Sequence, residues 1–263
     1  MAGMTALSPL ERRGLSLLGA AGFFAIWHGL AISGLMAANT LPSPVAVIET
    51  AWRLMAQPFA GHTLIEHLLA SLGRFGMGFG LAALVGIPLG LAMGRWRLLD
   101  DIVSPLFEAL RFVAPLAWVP FAALWFGTGI GGPVMVIFAG AFPPCLINAY
   151  RGAKLVETRL VEAAQVLGAG GLRIMAEVLL PGATPSIVAG LRVSAGLAWQ
   201  SLIGAELIVA SAGIGYVMVQ AQSNLAPAIV MAGMLAVGVV GLLIDVALRR
   251  AERFVRARWG QAA

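Results

Sequence analysis

Apolar residues run along this chain in long uninterrupted stretches, separated by short groups of charges. A helix crossing the hydrocarbon core of a bilayer needs roughly 20 mainly apolar residues, so the charge-free intervals predict the elements. Between Arg13 and Glu49 there is no Asp, Glu, Lys or Arg, and the apolar part, residues 14–36, is a first span. Arg12 and Arg13 ahead of it would also suit a signal peptide, but an h-region has only about 7–15 residues, so an uncleaved helix is expected. A second span covers residues 75–94, with a kink expected at Pro88. The interval from Arg111 to Arg151 is too long for one crossing, and the run Gly127-Thr128-Gly129-Ile130-Gly131-Gly132-Pro133 reads as a turn dividing it. Spans three and four are therefore residues 106–126 and 133–150. Span five, 186–209, carries Arg192 and Glu206, and span six, 225–248, has Asp245 near its end. The expected fold is an all-α integral membrane protein with six transmembrane helices, in one domain over residues 1–263.

An even number of spans puts both termini on one side. Arg12, Arg13, Arg95, Arg97, Arg151, Lys154, Arg159, Arg173, Arg249, Arg250, Arg253, Arg256 and Arg258 all fall on that side. The opposite loops hold only Arg53, with Arg74 read as a helix end, so the positive-inside rule makes both termini cytoplasmic.

Composition agrees. Of 263 residues, 60% are hydrophobic and only 11% charged, and the mean hydropathy is +0.91. A soluble domain carries about 25% charged residues, so too few are present to clothe a soluble enzyme. Disorder needs the opposite balance. The 33 glycines and 14 prolines suit membrane helices, which use small residues for close approach. The net charge of +5 comes from clusters between apolar runs, not from the basic face of a nucleic-acid-binding fold. The one cysteine, Cys145, lies inside an apolar run and reads as a buried small side chain. No internal repeat is evident, which argues against an inverted-repeat carrier.

The longest polar segment, residues 151–185, lies between spans four and five. Residues 161–167 have a helical pattern that Gly168 can end, and a second stretch, 171–180, is expected to stop at Pro181. The small residues Ala163 and Ala164 would let the first helix sink into a groove of another protein, and Glu162 adds a charge for docking. A mere connector would need none of these residues.

This segment resembles the signature of the membrane permeases of type I ATP-binding-cassette importers. That signature is Glu-Ala-Ala, three residues, Gly, nine residues, Ile, one residue, Leu-Pro. It falls on Glu162, Ala163, Ala164, Gly168, Val178, Leu180 and Pro181, with Val178 in place of Ile. The resemblance extends over nearly the whole chain and is strongest to nitrate, sulfonate and taurine permeases. It includes Leu41-Pro42-Ser43-Pro44, residues 67–74, Pro115 to Pro120, Trp125 to Gly129, Ala205-Glu206-Leu207 and Gly213-Ile214-Gly215-Tyr216. Ala114 departs from the family, which usually has a second proline there.

The resemblance implies a non-enzymatic subunit in a bacterial cytoplasmic (inner) membrane. It pairs with a second permease copy and two ATPase subunits, and a periplasmic or lipid-anchored binding protein delivers a small solute such as taurine, an alkanesulfonate or nitrate. ATP and Mg would be bound by the partner ATPases. The only lysine, Lys154, has no phosphate-binding glycine loop around it. Glu162 to Gly168 would be the helix that couples ATPase closure to the pathway.

Charged groups in a bilayer are costly and often functional. Glu206 is a candidate gate or pathway residue, or one half of an ion pair across a dimer, or else a partly hydrated helix end. Gln200, Trp118 and Trp199 are further pathway candidates, although indoles also sit at interfaces and in packing seams. Arg192 is expected to snorkel, and Asp245 with Arg249 to form an exposed pair. His62 and Glu66 have ligand spacing, but with His67 they lack a further metal partner nearby. An intramembrane hydrolase would need a nucleophile beside His28 or an acidic dyad, and no such pattern is present. A channel or secondary carrier would not need the Glu162 loop.

Overall fold

The computed structural model describes residues 8–33 and 40–258, so the end of the first expected span, residues 34–36, lies outside the described residues. Helix α1 (Pro9–Ile32) starts at a capping box: Ser8 Oγ accepts from the Glu11 N–H, and Glu11 Oε2 accepts from the Ser8 N–H. Among the described residues almost nothing covers α1, and its apolar side chains face outward. Its anchor is Trp27, whose indole N–H donates to the Pro42 carbonyl at 3.1 Å.

Two helices outside the expected spans follow the same local rules. Ser43 caps α2 (Pro44–Ala56) by accepting from the Ala46 N–H, and Pro44 fits its first turn. Val47 and Leu54 then bury against Ala232 of the last helix, α11 (Pro227–Arg258), and against Leu64 and Ile214. Helix α10 (Ile214–Ser223) forms the other.

Helix α3 (Leu64–Arg95) is much longer than the expected 75–94. A second capping box, Thr63 with Glu66, starts it eleven residues earlier, and it continues through Pro88. Arg74 is therefore not a helix end. It stands inside α3, buried.

The core is the packing of α3, α6 (Gly131–Leu155) and α9 (Leu180–Val209). Small residues recur on α3 every fourth position: Gly78, Ala82, Gly86, Gly90 and Gly94. This spacing lies on one helix face, which lets α6 approach at backbone distance. A Cβ at Gly86 would stand 3.0 Å from Cys145 Cβ, and one at Gly90 would collide with the Leu146 carbonyl. Gly152 against Ala183 and Gly190 against Asn148 do the same between α6 and α9. Cys145 is buried there, as expected, with its thiol 3.1 Å from Ser194 Oγ.

The third expected span is broken. Helix α4 (Arg97–Leu110) is followed by a 3-10 turn, Pro115–Trp118, and α5 (Val119–Phe126), and the two parts meet at 90°. Prolines 115 and 120 start the second part, and Ala114 turns the chain with an extended ψ of 137°. Among the described residues five helices are long and apolar enough to cross a membrane, and this bent pair makes a sixth when counted as one span.

Pro181 does not stop the helix it lies in. Residues 171–209 run as one rod from α8 (Gly171–Ile174) through a π-helical stretch, Met175–Leu179, into α9. Proline cannot donate to the carbonyl four residues back and its ring crowds that carbonyl. The wider π turn, with the Leu180 N–H bonded to the Met175 carbonyl, opens the ladder just before the ring. The fifth span is thus longer than 186–209, and the fourth runs on to Leu155. The polar segment shrinks to residues 156–170. The last helix, α11, covers Pro227–Arg258 rather than 225–248.

Candidate functional site

Helix α7 (Thr158–Val166) carries the first half of the signature. It ends in a complete Schellman turn: the Ala169 N–H bonds to the Ala164 carbonyl and the Gly168 N–H to the Gln165 carbonyl, each at 2.9 Å. The residue after the cap must be left-handed, and Gly168 has φ +79°. The glycine of the motif is therefore required by the backbone, and a Cβ there would meet no neighbour.

The two faces of α7 differ. Val161, Ala164 and Ala169 pack on the core cluster around Ile174, Leu179 and Ala183. Glu162, Ala163, Val166 and Leu167 face out, with Val166 87% and Leu167 86% exposed. Ala164 is half-buried against this chain's own core, whereas Ala163 is exposed. The second half of the signature is mostly structural. Val178 packs on the same cluster, and Leu180 and Pro181 carry the π-to-α transition.

The pathway candidates separate into three places. Glu206 is neither hydrated nor at a free helix end. It is 1% exposed, and its carboxylate accepts from Arg74 Nη1 (2.8 Å), Ser71 Oγ (2.8 and 2.9 Å) and the Gly215 N–H (3.0 Å). The same cluster caps α10, which has no cap of its own. His67 Nδ1 accepts from the Gly213 N–H and Ser71 Oγ from the Ile214 N–H, both at 3.0 Å, and Arg74 donates to the Ala212 carbonyl at 2.7 Å. Three amides that a helix start leaves unpaired are thus satisfied by side chains of α3 and α9. Gly213 (φ +118°) is needed twice, because a Cβ would run into the Glu206 carboxylate. Sequence reading missed this node: its partners are 132 or more residues apart, except Gly215.

Trp199 is 6% exposed and its indole donates to the Val237 carbonyl at 3.1 Å, a packing role between α9 and α11. With Gln200 it borders a cavity of about 220 Å³ that Arg192 and Asp245 also line. Arg192 does not simply snorkel. Its Nε lies 2.9 Å from Asp245 Oδ1 and its Nη1 3.5 Å from Glu252, so Asp245 joins Arg192 as well as Arg249.

Trp118 lines a different cavity, of about 290 Å³, between α4, the 3-10 turn and α6. Arg111 also lines it and had not been singled out, because it was read as the boundary of a charge-free run.

The structure gives Glu66 and His67 other partners. Glu66 closes the Thr63 capping box, His67 Nε2 lies 3.0 Å from the Phe59 carbonyl, and no cluster of three such groups suits a metal among the described residues.

Residues 86–259 match the family described as the binding-protein-dependent transport system inner membrane component. The chain belongs to this family. A taurine transport system permease of Escherichia coli is 36% identical over 247 residues, covering 93% of this chain and 90% of its own. A bicarbonate transport system permease of Synechococcus elongatus is 36% identical over 240 residues, covering 88% and 85%. The fold is that of a solved inward-facing structure of the MetNI methionine ABC transporter, with a TM-score of 0.64 at 19% identity, covering 73% of this chain and 95% of that one. The chain is a multi-pass inner-membrane permease of an ATP-binding-cassette importer, a transport subunit and not an enzyme. Such a permease works with ATPase subunits and a solute-binding protein.

Proposed function

We propose that this permease passes a small anion across the membrane, driven through α7 by the ATPases. The relatives named for taurine and bicarbonate handle solutes with an anionic oxygen head, and the same class is assigned to this chain. Two copies would enclose the pathway, with the arginine-rich ends in the cytoplasm. ATP and Mg belong to the partner subunits.

The observation that carries the coupling role is the outward face of α7. Val166 and Leu167 are almost fully exposed at the tip of a helix whose other face is anchored in the core. Exposed apolar side chains at a rigid tip gain by entering a protein cleft, at about 25 cal/mol per Å² removed from water. Glu162 beside them supplies a directional charge. Closure of the ATPases would then move α7, the π stretch and α9 together.

The test is reconstitution of the permease with its ATPases and binding protein in proteoliposomes. A Val166→Ser/Leu167→Ser variant should lose ATPase capture and solute-stimulated hydrolysis while the isolated permease keeps its thermal stability. Unchanged capture and import would refute the coupling role.

A further inference from the structure

We infer that the cavity between α4, the 3-10 turn and α6 is a subsite for an organic anion with an aromatic or compact apolar body, its acidic head held by Arg111. The inference rests on the reading of this chain as an anion permease and narrows the substrate class.

Arg111 follows the last residue of α4, with its side chain 33% exposed in the single chain. Helix α4 runs along α6 from the end that holds Tyr150, whose hydroxyl donates to Asp100 at 2.7 Å. It reaches Phe107, edge-on to Phe142 with ring centroids 6.3 Å apart, near the middle of α6. Arg111 is one turn further on, opposite Phe138 and Ala139. Helix α6 is about 37 Å long, close to the thickness of a bilayer, so this level is near its centre. The helix ends at Arg111, and residues 111–114 are non-helical and exposed in the single chain. Irregular backbone at this depth is tolerated only against protein or a polar cavity, not against lipid.

The cavity has one cationic side chain in its lining, Arg111. Arg111 Nε pairs with Glu108 at 2.7 Å, which orients the guanidinium. Its guanidinium carbon also lies over the Phe112 ring, 4.7 Å from the centroid. A guanidinium offers a planar fork that matches a carboxylate or sulfonate, and a low-dielectric wall strengthens that pair. Every other residue lining the cavity is apolar. Trp118, Phe138 and Phe142 supply ring surfaces, and about 290 Å³ is at the small end of ligand sites. A solute that is all head, such as bicarbonate, would leave these walls unfilled. A ring or branched chain bearing one acid group uses both features.

The probe is benzenesulfonate, measured by equilibrium binding to the permease–ATPase complex in nanodiscs without the binding protein. Saturable binding is expected, displaced by benzoate but not by benzyl alcohol, which has the ring without the charge. Arg111→Gln should weaken it at least tenfold and Arg111→Lys less. Ala139→Trp, which fills the cavity and leaves the charge, should abolish it while the complex elutes at its normal size. No saturable binding, or binding unchanged in both Arg111→Gln and Ala139→Trp, would overturn the inference, as would an Ala139→Trp variant whose only defect is loss of permease self-association. ATP-driven import by the same complex separates the two readings: taurine import without benzenesulfonate binding removes the subsite alone, whereas no import of any small anion removes the anion-permease reading.

Discussion

Arg74 and Glu206 face each other at 2.8 Å between α3 and α9, with side chains 6% and 0% exposed. The ion pair joins two helices of the core and, through Glu206, holds the amide of Gly215 at the start of α10. A buried charge without its partner is far more costly than the pair is favourable. Glu206→Ala should therefore destabilise the permease by about 3–5 kcal/mol. Glu206→Gln should cost less, since its amide oxygen can still accept from Gly215. Thermal unfolding of the purified protein in micelles checks the order, and equal losses would contradict it.

The pair between Arg192 and Asp245 should behave differently. Their side chains are 36% and 31% exposed, and water screens them. Arg192→Ala should change stability by about 0.2–1 kcal/mol. The same unfolding assay applies, and a loss as large as that of Glu206→Ala would show that this cluster is buried in the assembled transporter.

At Gly168 the backbone sets the outcome. Its φ of +79° costs an L-residue about 1–2 kcal/mol, and asparagine tolerates it best among the alternatives. Gly168→Asn should keep more solute-stimulated ATPase activity than Gly168→Val in the reconstituted complex. The reverse order would mean that the turn does not govern docking.

The seam between α3 and α6 has no spare room. A methyl group at Gly90 would collide with the Leu146 carbonyl, and Ala149 is also too close. Gly90→Ala should destabilise by about 1–3 kcal/mol through forced separation of the helices. Gly80→Ala on the same helix, where a Cβ meets nothing within 4 Å, should be neutral or slightly stabilising. Midpoints of thermal unfolding for the two variants test the contrast.

Much of this protein is legible in its sequence. Hydropathy follows from composition within a window, so the membrane class and the approximate position of each span could be read from the intervals between charges. The left-handed Gly168 is likewise local, since a helix must end within a residue or two of it. Helix starts were legible in principle: the Thr63–Glu66 box that lengthens α3 is a four-residue pattern. The meaning of the charges was not. Arg74 looks like a helix end and Glu206 like a gate until α3 and α9 pack and bring them together. The same holds for Pro181, which stops a helix in isolation but is accommodated when the packed core stabilises a π turn before it. The inward turn of Ala164, the 90° break after Arg111 and the cavity beside it also arise only on packing. Local rules act within one turn of helix, whereas burial, pairing and cavities depend on residues well separated in the chain, 132 positions for Arg74 and Glu206, which only the folded chain brings into contact.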